Sequence, residues 1–110
     1  MGKPNPNPAR LLAYELISQV NRNNAYANIR LPELLKKSYL PKNDRNLVTE
    51  ISYGTLRMQS FLDYLASKFT DRPFADLDPK IQDLLRLGTY QLTQMRVPAH
   101  AAVSETVEVS

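Results

Sequence analysis

Apolar residues recur three and four positions apart through most of this chain, the spacing that lines one face of an α-helix. In the first run, Ala9, Leu12, Ala13, Leu16, Ile17 and Val20 share a stripe. Asn7 reads as its N-cap, Pro8 as its first helical residue, and Asn23-Asn24 as its end. Leu11 and Tyr14 fall off the stripe, so this helix either packs on a second side or offers an exposed apolar contact. Pro32 opens a short second helix through Lys37, and Pro41 stops it. Asn43 or Asp44 then caps a run in which Leu47, Val48, Ile51, Gly54, Thr55, Met58, Leu62, Leu65 and Phe69 keep one helical phase. This predicts a single long helix, with Gly54 as the place for a kink. A mid-helix glycine costs about 1 kcal/mol relative to alanine, but on the buried stripe it lets another helix approach closely.

Thr70 to Asp78 reads as a loop, with Asp76 and Asp78 as capping carboxylates. Asp78-Pro79 starts the next helix, whose predicted inward stripe is Ile81, Leu84, Leu85, Gly88, Leu92 and Met95. Leu87 and Tyr90 project from its other side, and a helix apolar on both sides belongs inside a bundle. Pro98 opens a last helix with Ala99, Ala102, Val103, Thr106 and Val107 inward. Its pattern runs to Ser110 without a cap, so the natural protein is expected to continue. The Pro-Asn alternation of residues 1–7 cannot be helical and is expected to be a disordered tail. Residues 8–110 then form one all-α domain.

A length of 110 residues supports one core, and 43% hydrophobic with 23% charged residues is an ordinary globular balance. No apolar run approaches the roughly 20 residues of a membrane span, and the N-terminus lacks a signal-peptide core, so a cytoplasmic protein without membrane partners is expected. Without cysteine there is neither a disulfide framework nor a thiolate. Charge is uneven: residues 1–42 carry a net +5, residues 43–69 balance, and residues 70–110 carry −2, which makes the overall +3. A basic front suggests a polyanionic partner, although scattered Lys and Arg also simply solvate helix surfaces.

Catalytic devices are largely missing. Gly54 and Gly88 lie in helices and Gly2 in the tail, so no glycine-rich loop can cradle phosphate or a dinucleotide. His100 alone builds no usual zinc site and reads as a surface or packing residue. Binding leaves more traces. Arg10 and the cluster Lys36, Lys37, Lys42 and Arg45 are expected to gather near the start of the long helix. One flank of that helix carries Asn46, Glu50, Tyr53, Arg57, Ser60, Tyr64 and Lys68. Tyr53 beside Arg57 can stack on bases while gripping phosphate; alternatively, Tyr53 and Tyr64 finish the core, and Glu50 and Arg57 pair with neighbouring helices. Arg86, on the central helix, calls for a carboxylate partner in a structural ion pair.

The blocks AYANIRLPELL (25–35), DRNLVTEISYGTLRMQSFLDYL (44–65), LLRLGTYQL (84–92) and VPAHAAVSETVEV (97–109) resemble the N-terminal NusB-like domain of the bacterial RsmB (Sun, Fmu) ribosomal RNA methyltransferases. The resemblance implies an all-α, NusB-like helical bundle, truncated here before its last helix. It further implies an accessory domain that binds ribosomal RNA and adjoins a C-terminal cytosine-5 methyltransferase domain. That domain would use S-adenosylmethionine and cysteine nucleophiles. This chain has no cysteine, so no catalytic residue or cofactor site carries over to it. The antitermination factor NusB shares the fold and stands as an alternative, as does a helical protein-interaction module without RNA contact. The run Ala99 to Thr106 follows the methyltransferase pattern more closely.

Overall fold

Proline at a first helical position pre-sets φ and gives up only an amide that has no partner there, and α1 (Pro8–Asn23) begins in this way. The computed structural model describes residues 8–95, so Asn7, the tail and the predicted helix after Pro98, with His100, lie outside the described residues. At the far end of α1, Asn24 adopts the left-handed conformation (φ 56°), and the Ala25 N–H reaches back to the Gln19 carbonyl at 3.3 Å. A left-handed residue of this kind is a common helix stop, and it falls at the predicted place.

The second helix departs from expectation. α2 spans Ala27–Ser38, so Pro32 lies inside it rather than opening it. The proline leaves the Asn28 carbonyl without its usual helical donor, but Asn28 faces solvent, which can supply one. Burial of Leu31, with Ala27 packed on the core, compensates for extending the helix upstream.

The long run is two helices. α3 (Lys42–Arg57) has Pro41 in the capping position, two residues before Asn43 and three before Asp44, and α4 covers Gln59–Ser67. The break falls at Met58 (φ −103°, ψ 14°), not at Gly54. Gly54 lies within α3, and the space above it belongs to the Tyr90 ring: a Cβ there would overlap the hydroxyl and Cζ and stand 2.6 Å from Cε1. The predicted close approach is therefore real. Past the turn at Met58, Leu62 keeps its predicted inward place and Ala66 joins it, whereas Phe69 lies beyond the end of α4 and is exposed.

A one-turn 3-10 helix (Phe74–Asp76) interrupts the predicted loop and buries Phe74. α5 (Pro79–Gln94) has the predicted start, with the Asp78 carboxylate accepting from the Lys80 N–H at 2.8 Å. Its buried face is rotated from the predicted stripe: Ile81 and Leu92 are exposed, whereas Asp83, Leu84, Arg86, Leu87, Tyr90 and Gln91 are buried. Three of these six are polar and satisfy one another or neighbours, which a reading based on apolar spacing overlooks.

Among the described residues the architecture is an all-α bundle. α1 packs on α2, α3 and α5, and α5 also lies against α3 and α4, which gives it the predicted inner place. Ala9, Ala13, Leu16, Ile17, Leu31, Leu34, Val48, Ile51 and Leu87 form the core. Tyr14 packs partly on this core, whereas Leu11 remains exposed, so the two off-stripe residues of α1 divide between the alternatives.

Candidate nucleic-acid interface

Four of the predicted cations meet at the corner between α2 and α3. Lys36 and Lys37 occupy the last turn of α2, where positive charge complements the carbonyl end of the helix. Ser38 Oγ donates to the Leu35 carbonyl at 2.7 Å and accepts from the Leu40 N–H at 3.4 Å. Pro41 then fixes the entry into α3, and the Arg45 N–H donates to its carbonyl at 2.9 Å. The corner thus brings Lys42 and Arg45 round beside the end of α2.

All four cations are exposed. Ion pairs among the described residues engage Arg22, Arg30 and Arg86 and leave these four out. The carboxylate one turn back in α2, Glu33, is held by Arg30 at 2.7 Å, so it does not neutralise the corner. Lys42 and Arg45 also stand at the amide end of α3, where the helix dipole is itself positive. Beside them an open groove of about 400 Å³ is lined by Glu33, Lys36, Lys37 and Tyr39. Tyr39 is 91% exposed. Sequence periodicity missed it because it lies between helices; an aromatic residue set among lysines was the signal available.

Tyr53 and Arg57 share the solvent side of α3 with Lys42 and Asn46, but lie eleven and fifteen residues beyond Lys42, about 16 and 22 Å along the axis. They form a second place on the same face rather than part of the corner. Tyr53 is 37% and Tyr64 58% exposed, and neither Glu50 nor Arg57 makes an ion pair among the described residues, so the core-and-pairing alternative does not describe this flank. The break at Met58 separates Tyr64 and Lys68 from it; they make their own contact, with Lys68 Nζ 4.6 Å from the Tyr64 ring centre.

Arg10 does not join the surface cluster. It is buried in the α1 face, 8% exposed, with Nε donating to Oε1 of the fully buried Gln91. Its head meets a polar side chain of α5, which lets a cation sit on an inward helix face.

Arg86 is the structural ion pair expected. Its Nε and Nη2 donate to the Asp63 carboxylate of α4 at 2.6 and 2.9 Å, and its Nη1 donates to Asp83 at 3.0 Å. Burial works against its charge, yet the bonds and charges of Asp63 and then Asp83 outweigh burial and hold the guanidinium above its ordinary pKa. Asp83, 1% exposed, also accepts from Ser18, Asn21 and Arg22 of α1. It belongs to the scaffold rather than to a reactive site.

No group of three His, Cys, Asp or Glu side chains suited to a metal occurs among the described residues, and no described helix is long and apolar enough to cross a membrane. What the surface offers chemically is therefore positive potential with exposed aromatic rings.

Comparison with known proteins agrees with the helical architecture. A Mycobacterium tuberculosis protein named as a putative methyltransferase is 46% identical over 101 residues, 92% of this chain and 22% of its own length. The ribosomal RNA small subunit methyltransferase B of Pseudomonas putida is 42% identical over 98 residues, 89% of this chain and 22% of that protein. A Bacillus subtilis protein named as a probable enzyme of the same kind is 35% identical over 102 residues, again 92% of this chain but 23% of the relative. The chain thus spans less than a quarter of the length of each of these relatives. The NusB family matches residues 7–110, nearly the whole sequence, and with the all-α bundle described above this chain belongs to that family.

Proposed function

We propose that this chain is the RNA-binding accessory domain of a ribosomal RNA cytosine-5 methyltransferase. In this reading it positions small-subunit ribosomal RNA for an S-adenosylmethionine-dependent catalytic domain on the same polypeptide, beyond Ser110, in the cytoplasm. One observation carries the reading: relatives named as small-subunit ribosomal RNA methyltransferases match about nine-tenths of this chain with about a fifth of their own length. That proportion favours a module of a larger enzyme over a free-standing antitermination factor. The exposed corner of Lys36, Lys37, Lys42 and Arg45 supplies the phosphate-binding surface, with Tyr53 and Arg57 as a second contact farther along α3. Arg10 is left out because it is buried.

The test is binding of a small-subunit ribosomal RNA hairpin at several salt concentrations. Affinity is expected to fall steeply with salt, because each neutralised phosphate releases condensed counterions. Reversal of Lys36, Lys37 and Arg45 to Glu is expected to flatten that slope and weaken binding far more than reversal of the exposed Arg72 and Lys80. Equal effects of the two reversals would leave only net charge, and salt-independent binding would remove the electrostatic basis of the proposal.

A further inference from the structure

We propose that Tyr39 is a stacking platform for an unpaired RNA base, set so that Lys36 and Lys37 reach the phosphates of the same strand. This rests on the RNA-binding reading and adds a residue and a ligand class to it: a single-stranded or looped segment rather than a continuous duplex. The first support is conformational. Tyr39 has φ 57°, a left-handed backbone that disfavours bulky side chains, at the C-cap of α2 where glycine or asparagine is preferred. The equivalent turn after α1 uses Asn24. Tyrosine at 39 therefore brings strain without any return from burial, since the side chain is 91% exposed. Strained, exposed positions of this kind are where binding residues concentrate.

The second support is that the turn is fixed. Ser38 is hydrogen-bonded to Leu35 and Leu40, Leu40 packs on the core, and Pro41 follows. With both neighbours anchored, the Tyr39 ring is directed to solvent before any partner arrives, which limits the ordering entropy of binding. Third, the ring shares an open groove of about 400 Å³ with Lys36, Lys37 and Glu33, the last held by Arg30, so a flat apolar face lies next to two cations that make no ion pair among the described residues. Aromatic faces beside a basic groove suit bases on a single strand, with little sequence preference.

The 110-residue chain would be titrated into a small-subunit ribosomal RNA hairpin carrying 2-aminopurine in its loop, whose fluorescence reports stacking. Tyr39→Ala is expected to lose the fluorescence change and roughly 5- to 150-fold in affinity while keeping the salt slope, and Tyr39→Phe to retain both. Tyr39→Gly relieves the backbone strain, so its melting temperature is expected to stay level or rise by a few degrees while RNA binding falls. If the wild type binds with a steep salt dependence and Tyr39→Ala matches it, the stacking proposal fails and the RNA-binding reading stands. If the wild type does not bind at any salt concentration, the reading itself fails. A melting temperature several degrees lower in Tyr39→Gly would make Tyr39 a structural residue and overturn the proposal.

Discussion

Gly54 shows how one missing side chain sets the distance between two helices. In an exposed helix, Gly→Ala stabilises by about 1 kcal/mol. Here the added methyl would overlap the Tyr90 hydroxyl and ring, and Tyr90 is itself buried at the α3–α5 contact. A rigid aromatic ring under a helix yields less readily than the tip of a flexible chain, so overpacking of roughly 1–3 kcal/mol is set against the propensity gain. Gly54→Ala is expected to lower the thermal midpoint, and Gly54→Ala combined with Tyr90→Leu to recover part of the loss. A Gly54→Ala midpoint at or above wild type would show that Tyr90 repacks freely. Gly88 is the counterexample: nothing among the described residues lies within 4 Å of the Cβ it would carry, so no described helix approaches it as Tyr90 approaches Gly54.

At the scale of elements, the starts and stops of helices were largely legible, because local chemistry sets them. Asp78-Pro79 and Pro8 open their helices and Asn24 closes one, all by local backbone and side-chain effects. Long-range effects were not legible. α2 begins upstream of Pro32 because Leu31 finds a buried site, and the run from Leu47 to Phe69 divides at Met58 because each half packs on a different set of helices. The inward face of α5 was misplaced because Asp83, Arg86 and Gln91 look like surface residues in a sequence but are buried together with their partners. Likewise Arg10 looks like surface charge in the sequence although its helical position lies beside Ala9 and Ala13, and its contact with Gln91 joins residues 81 positions apart, which local sequence does not reveal. The Asp83 network ties α1 and α5 directly, and Arg86 extends it to α4. Asp83→Ala leaves Arg86 with one of its two carboxylate partners and removes the acceptor for three α1 donors. Because Asp63 still compensates the guanidinium, a loss of about 1–3 kcal/mol is expected, which is a substantial part of the stability of a domain this size. Chemical denaturation would measure it, and a loss below about 1 kcal/mol would mean that water or Asp63 replaces Asp83 fully.

For the whole molecule, charge is divided by position in the fold: the acidic residues of α5 and α4 are used inward, while the basic corner at α2–α3 is left to solvent. A domain built in this way can hold a polyanion without taking part in bond making. The proposed role therefore separates binding from chemistry in a measurable way. In a polypeptide that joins this domain to its methyltransferase domain, the corner cations would touch RNA equally in the ground and transition states. Interactions of that uniform kind lower KM and leave kcat alone. Lys36→Glu with Lys37→Glu is thus expected to raise KM for ribosomal RNA by about tenfold or more, given that each lost phosphate contact weakens binding in a salt-dependent manner. The turnover number at saturating RNA and the KM for S-adenosylmethionine are expected to stay within about twofold of wild type, since neither reports the RNA contact once substrate is saturating. Circular dichroism on the double variant checks that the fold is intact, which exposure of both lysines on α2 leads one to expect. A fall in kcat with unchanged KM would place the corner at the reacting centre or in a closing motion. That result would contradict a purely positioning domain.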